Sequence, residues 1–467
     1  MSWTLEQILS ATGGKLAVRG SRAAFGEVVT DSKKIQANSV FIALKGRKFD
    51  GHRFAKDAAR RGAGCLIVHK RIPLAQTKNA AVVRVRDTLE ALGALGHYRR
   101  MQLNPKVLAI TGSNGKTTTK EMVAAILEKA NFKGERLRGR VLKTEGNYNN
   151  LVGLPLTLLR LSERHRAAVV ELGTSNPGEI GRLTRIAAPE VAIVTSVGPA
   201  HLSGLKSVAG VAREKGQIFR GLRRGGVAVV NLDDPWTRRI GAKLKGKKIT
   251  YGKGGRVCAE SATALGAGGN AFVLRAGGKR ARIRLKFSGA HNLSNALGAA
   301  AMAYSLGIDL RAIRPGLEAA RPFSMRMAVE HWNGVGVIND AYNANPASME
   351  AALKTLAQMN GRGRKIAIVG DMLELGAETR KRHLALGRQA AEYGIDRLYA
   401  LGKQARLVRR GALVGGMDAS RVVVGKSHAQ IARLVRKELR AGDWILFKGS
   451  RGMKMEKVLG ALKAGGA

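Results

Sequence analysis

Cysteine, aromatic residues and acidic residues are all scarce in this sequence, and each shortage removes a class of protein. Cys65 and Cys258 are its two cysteines. They sit far apart in apolar stretches, GAGCLIV and RVCAE, and read as reduced core thiols, not as a disulfide or a metal pair. No Cys/His spacing suits structural zinc. Aromatics make up 4%, too few to build stacking platforms for nucleic acid. No apolar run is long enough to span a bilayer. The start, MSWTLEQILSATGGK, lacks the basic and then continuously apolar pattern of a signal peptide. Trp3, Leu5, Ile8 and Leu9 instead mark one face of a short helix that Gly13 and Gly14 end. A cytoplasmic protein is the expectation.

The acid shortage is the largest. Asp plus Glu total 33 against 81 Lys plus Arg, a formal balance of +48. Such a balance suits a nucleic-acid-binding ATPase, but the basic residues are spread along the whole chain and form no arm or recognition module. The sequence therefore reads as a general surface bias with no specific nucleic-acid site, though one that attracts polyanions and anionic lipid.

What is present is a large globular chain. At 467 residues, 45% of them hydrophobic, it exceeds one ordinary core and suggests about three domains. In the first hundred residues VVTDSKKI, SVFIALKG and GCLIVHK read as strands, and DTLEALGALGHYRRMQ as a helix leading to a boundary at Asn104-Pro105. Next come KVLAI, AAVVEL, VAIVTSV, VAVVNL and KKITYG, apolar strands mostly separated by helical segments. That rhythm means a parallel sheet covered on both faces. Residues 256–287 alternate like antiparallel strands, and NLSNALGAAAMAYSLG closes this part as a helix. After Arg321-Pro322 a second α/β pattern begins, with VGVIND, KIAIVGD, RLYALG and DWILFKGS as strands and SMEAALKTLAQM and HAQIARLVRKELR as helices. TALGAGGN and the final KAGGA read as flexible pieces. The resulting expectation is an α/β protein of three domains, 1–103, 104–322 and 323–467.

The strongest chemical signal is KVLAITGSNGKTTTKEM. A buried strand enters a glycine-containing loop and leaves as a helix over 116–130. Gly112 and Gly115 let backbone N–H groups turn inward around phosphate, and the helix N-terminus adds a positive dipole. Lys116 reaches outer phosphates and Thr117 offers a hydroxyl to Mg²⁺. An ordinary turn before a helix is the alternative, and the general G-x-x-x-x-G-K-[ST] pattern would put glycine where Ile110 stands. The spacing is thus a compressed T-G-x-x-G-K-T. Glu171 ends AAVVEL and His201 follows VAIVTSV, so both belong to the carboxyl edge of the same sheet, where ligands of open parallel sheets bind. A carboxylate and an imidazole there suit a metal ion.

The sequence resembles the Mur ligases, ATP-dependent amide-forming enzymes. DSKKI, ALKGRKFDGHRF, TGSNGKTTTKEM, GNYNNLVGLPLTLL, ELGTSNPGEI, VGPAHL, AREKGQIF, GAHNLSNALGAAA, NDAYNANPASM, GDMLELG and KGSRGMKMEKV follow in family order from residue 31 to 457. The resemblance implies a small α/β domain for the UDP-linked substrate, a central phosphate-loop ATPase domain and a Rossmann-like third domain. It implies ligation of D-alanyl-D-alanine to UDP-N-acetylmuramoyl-tripeptide through an acyl phosphate, in a cytoplasmic, monomeric enzyme using ATP and Mg²⁺. The neighbouring branch, which adds the third amino acid to a UDP-dipeptide, usually carries Asp-Asn-Pro-Arg; that motif is absent, and DAYNANP stands here.

The resemblance also assigns roles. Thr111, Gly112, Ser113, Asn114, Gly115, Lys116, Thr117 and Thr118 form the nucleotide loop. Glu171, His201 and Lys215 join Thr117 at the metal, with Lys215 at the position many members carbamylate. By base rates Lys215 would be a solvated lysine, and only the motif says otherwise. Asn292 and Asn295 fall on the adenine side, and Arg326 and Asp340 reach ATP from the third domain. Substrate contacts fall on Ser32, Lys45, Asp50, Gly51, His52, Asn149, Asn150, Asn343, Asn345, Lys448, Ser450 and Arg451. The chain departs from the family where Lys33 replaces the arginine of Asp-Ser-Arg, a loss of a planar bidentate donor, and where Pro-Gly-Asp is missing from QANSV.

Overall fold

The computed structural model describes residues 2–46, 49–73, 77 and 79–464. Arg47 and Lys48 of ALKGRKFDGHRF, the last three residues of KAGGA, and Met1 lie outside the described residues. Among the described residues three large sheets carry the chain.

The first sheet orders Lys15–Val18, Ala81–Arg84, Cys65–Val68, Val40–Ile42 and Val28–Val29, parallel except at its first pairing. VVTDSKKI is a strand only over Val28–Val29. The Asp31 side chain accepts the Lys33 N–H at 3.0 Å, and this local turn diverts the backbone into a 3₁₀ segment, Ser32–Lys34. The opening helix is Leu5–Thr12, with a Thr4/Gln7 capping box and Gly13 left-handed at its end. Trp3 lies just outside it, paired with Phe25.

The central sheet has nine strands, in the order Val141–Lys143, Ala167–Glu171, Lys106–Thr111, Val191–Val194, Val227–Asn231, Lys247–Tyr251, Val257–Ala264, Asn270–Ala276 and Lys279–Leu285. Its first seven strands run parallel and its last two pairings are antiparallel. The strand Lys106–Thr111 is apolar and buried on both faces, as a covered parallel sheet demands. Glu171 pairs with Ile110 and Val194 with Thr111. The ends of three neighbouring strands therefore bring Thr111, Glu171 and Thr195 to one edge. The third sheet orders Ala328–Trp332, Val335–Asp340, Trp444–Lys448, Lys365–Gly370, Arg397–Leu401 and Val422–Gly425, antiparallel only at its first pairing. Among the described residues no helix is long and apolar enough to cross a membrane.

The helix Thr88–Leu103 joins the first sheet to the second. Its Arg100 is fully buried. The guanidinium donates to the carbonyls of Ala187 (2.9 Å) and Ala188 (2.8 Å), which end the helix Glu179–Ala187, and to Glu190 at 2.8 Å. Glu190 in turn accepts the Val107 N–H at 2.7 Å, at the start of the loop strand. A cation at a helix C-terminus is favourable, and here it also anchors the loop strand. Arg100→Met is expected to lower the unfolding free energy by roughly 3 kcal/mol in urea titrations, because it strands buried carbonyls and leaves Glu190 with Arg223 as its one arginine among the described residues.

Candidate active site

The loop after Lys106–Thr111 is fixed by space. Gly115 caps the helix Lys116–Glu128 with φ +81°, and a side chain on it would meet Asn295 Oδ1 at 2.2 Å. A Cβ on Gly112 would lie 1.9 Å from Thr195 Oγ1. Only glycine fits at either place. Thr195 Oγ1 donates to the Asn114 carbonyl at 2.5 Å, Ser113 N–H donates to the Ser196 carbonyl at 2.8 Å, and Ser113 Oγ donates to the Gly198 carbonyl at 3.1 Å. Thr111 Oγ1 donates to the Leu172 carbonyl at 2.8 Å. The TSVG segment after the next strand is thus a template for the loop, and Thr195 and Ser196 are members of the site that sequence reading treats only as a strand end. Thr118 sits half-buried in the first turn of the helix.

Lys116 curls over the loop, its Nζ donating to the Gly112 carbonyl at 2.8 Å. Thr117 Oγ1 donates to Glu171 Oε2 at 2.8 Å, and Asn149 Nδ2 donates to Glu171 Oε1 at 2.9 Å. Lys215 is 1% exposed, on the helix Val208–Arg220. Burial pushes its ammonium well below the ordinary lysine range, Lys116 pushes the same way, and Glu214 and Glu171 oppose. Glu214 is already committed, accepting the N–H groups of Gly178 and Ile180 at 2.7 Å each. Burial also lowers Lys116, with Glu171 opposing and Arg326 adding to the fall. Arg326 stacks on Tyr342 at 3.9 Å, and its buried Nε has no hydrogen-bond partner among the described residues. Lys116, Lys215 and Arg326 thus outnumber Glu171 and Glu214, the carboxylates that act on the two lysines, an arrangement that asks for a polyanion.

The third sheet reaches this edge directly. Asn345 caps the helix Pro346–Ala357 and donates from Nδ2 to Asn114 Oδ1 of the loop at 2.7 Å. His201 Nδ1 lies 2.6 Å from Glu374 Oε2, of GDMLELG. The structure thus brings Thr117 and Glu171 together, while the imidazole of His201 meets a third-domain carboxylate. Asn292 Nδ2 donates to the Ser288 carbonyl at 2.8 Å, and Asn295 Nδ2 donates to Asn292 Oδ1 at 3.0 Å, beneath Gly115. Asp340 accepts the Met327 N–H at 3.0 Å and pairs with the buried Lys448 at 2.5 Å. Lys448 also donates to the Asn343 carbonyl at 3.0 Å. Ser450 Oγ accepts the Leu373 N–H at 2.9 Å, and Arg451 pairs with Glu456 at 2.8 Å.

Among the described residues no three His, Cys, Asp or Glu side chains cluster as a ready-made metal cage. The donor set at Thr117 and Glu171, one hydroxyl and one carboxylate, fits Mg²⁺ held jointly by protein and nucleotide phosphates. In the first sheet, Ser32 lies in the 3₁₀ turn and Lys45 bridges to Asp50 through the backbone. Gly51 has no room for a side chain against Leu44. His52 is pinned, with Nδ1 2.6 Å from Asp50 and Nε2 accepting the His69 N–H at 3.0 Å. Asn150 accepts the N–H groups of Val152 and Gly153 at 3.1 and 2.8 Å and so shapes the start of the next helix.

Models of three Mur ligase domains match this chain: the family's catalytic domain over 25–100, the middle domain over 110–303 and the glutamate ligase domain over 325–451. The chain belongs to the Mur ligase family. Within it, the UDP-N-acetylmuramoyl-tripeptide–D-alanyl-D-alanine ligase of Escherichia coli K12 is 37% identical, covering 100% of this chain and 99% of the relative. A crystal structure of MurF from Acinetobacter baumannii superposes with a TM-score of 0.90 at 35% identity, covering 99% of both chains. MurF from Thermotoga maritima in complex with ADP superposes with a TM-score of 0.82 at 27% identity, over 94% of this chain and 97% of that one.

Hydrogen bonds from Lys70 and His52 hold the Asp50 carboxyl well below the usual carboxylate range. A depressed carboxylate stabilises the fold above its ordinary value of 3.8 and loses that contribution as pH falls. Asp50→Asn is therefore expected to flatten the fall of Tm between about pH 5 and about pH 2, read by thermal melts across that range; an unchanged slope contradicts the pairing.

Proposed function

We propose that this chain is the ATP-dependent ligase that joins D-alanyl-D-alanine to UDP-N-acetylmuramoyl-tripeptide, in peptidoglycan precursor synthesis. The observation that carries the reading is the hydrogen bond of Thr117 to Glu171 at the loop, beside Lys116, on which Glu171 and Arg326 act, and Lys215, on which Glu171 and Lys116 act. The full-length similarity to ligases bearing that name supports the choice of substrates. The three domains divide at 103/104 and 322/323, and the enzyme works as a cytoplasmic monomer.

The terminal carboxylate of the tripeptide attacks the γ-phosphorus of ATP. A carboxyl O–P bond forms, the bond to the β-phosphate oxygen breaks, and ADP leaves. The amine of the dipeptide then attacks the acyl carbon, phosphate departs and the amide remains. Lys116 and Arg326 neutralise charge on the transferring phosphoryl group. Thr117, Glu171 and His201 would hold Mg²⁺, which supplies further charge neutralisation on the phosphate oxygens; for that His201 must leave Glu374. A carbamate on Lys215 would convert a destabilised buried ammonium into an anion in the same cluster. Asn292 and Asn295 face the adenine side, and Asp340 places the third domain against ATP through Lys448. Ser32, Lys45, the Asp50–His52 turn, Asn149 and Asn150 serve the UDP-tripeptide. Asn343, Asn345, Lys448, Ser450 and Arg451 line the dipeptide side. Because an acyl phosphate hydrolyses readily, the contact of Asn345 with the loop matters: it lets the third domain cover the reacting atoms.

Two experiments test this. Phosphate release from ATP is expected to require both D-alanyl-D-alanine and the UDP-tripeptide. Turnover with a single amino acid and a UDP-dipeptide, or RNA-stimulated hydrolysis indifferent to the dipeptide, would overturn the reading. Separately, incubation with ¹³C-bicarbonate is expected to give one carbamate carbonyl NMR signal that Lys215→Arg removes. A spectrum identical in the two proteins rejects the carbamate.

A further inference from the structure

Lys120 is a buried cation that none of the roles above employs. It lies on the loop helix three residues after Thr117, 1% exposed. Its ammonium has three N–H groups and three partners. Nζ donates to the Thr144 carbonyl at 2.6 Å, lies 2.9 Å from Glu121 Oε1, and sits 5.9 Å from the centre of the Phe323 ring. Each partner belongs to a different part of the molecule.

Thr144 follows the strand Val141–Lys143 and comes two residues before the GNYNN segment. It is fully buried, and its Oγ1 accepts the Glu171 N–H at 3.0 Å. The carboxylate of Glu171 accepts Thr117 Oγ1 and Asn149 Nδ2. Lys120, Thr144, Glu171 and Thr117 therefore form a closed circuit that returns to the helix it left. Phe323 extends the circuit outward. It lies in the linker to the third sheet, three residues before Arg326, whose charge acts on Lys116. Glu121 accepts from Lys143 as well as Lys120, so the two lysines share one carboxylate.

We infer that Lys120 is a positioning residue, holding the Glu171 carboxylate and the interdomain linker in one frame with the phosphate loop. The inference rests on Glu171 being the metal-side carboxylate. A cation suits the task because one side chain must satisfy a buried carbonyl, neutralise Glu121 and meet an aromatic face. A purely structural lysine would affect folding stability and leave the metal dependence of nucleotide affinity alone.

The test uses the full chain with ADP and Mg²⁺ only, so it does not depend on which amine or UDP-peptide is used. ADP affinity is measured calorimetrically with and without Mg²⁺ for wild type, Lys120→Met, Thr144→Val and the double variant. In the single variants Mg²⁺-free affinity is expected within about threefold of wild type, while the gain on adding Mg²⁺ falls about tenfold, the scale for losing a group that orients a metal ligand. The double variant is expected to lose no more than Lys120→Met, since both break one circuit. If Lys120→Met does not fold, Thr144→Val tests the circuit at its next link, because it removes the hydroxyl that accepts the Glu171 N–H and leaves the carbonyl that Lys120 meets. An undiminished Mg²⁺ gain in the single variants overturns the role of Lys120. A wild-type affinity indifferent to Mg²⁺ overturns the reading of Glu171 instead.

Discussion

The hydrogen bond from Thr117 to Glu171 joins the first turn of the loop helix to the end of the adjacent strand. Around it the backbone has no slack. Gly112 is pressed against Thr195 and Gly115 against Asn295, so the loop can take one path between strand and helix. Thr144 holds the backbone N–H of Glu171, and Arg100 and Glu190 anchor the far end of the loop strand. A hydroxyl and a carboxylate kept 2.8 Å apart by four elements need little reorganisation when a charged ligand arrives.

The third sheet meets this frame through regular structure. Asn345 touches the loop while capping a helix, so its position is set by that helix. Arg326 is placed by backbone strain. Met325 and Met327, on either side of it, have φ of +59° and +50°, a conformation that costs about 1 kcal/mol or more for each residue with a side chain. The Tyr342 N–H on the Met325 carbonyl (3.1 Å) and the Met327 N–H on Asp340 (3.0 Å) hold that shape. Asp340 does this while paired with Lys448, so the acid at the start of DAYNANP and the lysine of KGSRG together set where the arginine lies.

Much of this was legible in the residues. The apolar strands KVLAI, AAVVEL and VAIVTSV announce a covered parallel sheet, and TGSNGKT announces the loop, because local chemistry and the rule for ligand edges suffice there. Asp31 shows the limit from the other side: its side-chain turn ends the strand reading of VVTDSKKI after two residues, a competition that hydrophobic pattern does not register. The pairing of His201 with Glu374 spans two domains, and the Thr144 acceptor for Glu171 depends on strand order. Neither is written in spacing. The template role of Thr195 and Ser196 is hidden for the same reason, since they contact the loop only because Val194 lies in register with Thr111.

The charge imbalance takes a different meaning in the folded chain. Several carboxylates are spent inside: Glu214 on two backbone N–H groups, Asp371 on those of Lys403 and Gln404, Asp443 on those of Arg364 and Arg440. Glu190 and Asp340 each compensate buried cations. With 33 acids against 81 bases, little negative charge is left to offset the outer lysines and arginines. Self-repulsion among them works against compactness, and the buried pairs oppose it where salt screens least. The same field draws phosphate-bearing molecules toward the loop edge and weakens as ionic strength rises. At the loop itself the imbalance becomes local, because Lys116, Lys215 and Arg326 outnumber Glu171 and Glu214, the carboxylates that act on the two lysines, and a bound polyphosphate supplies the negative charge that the protein withholds.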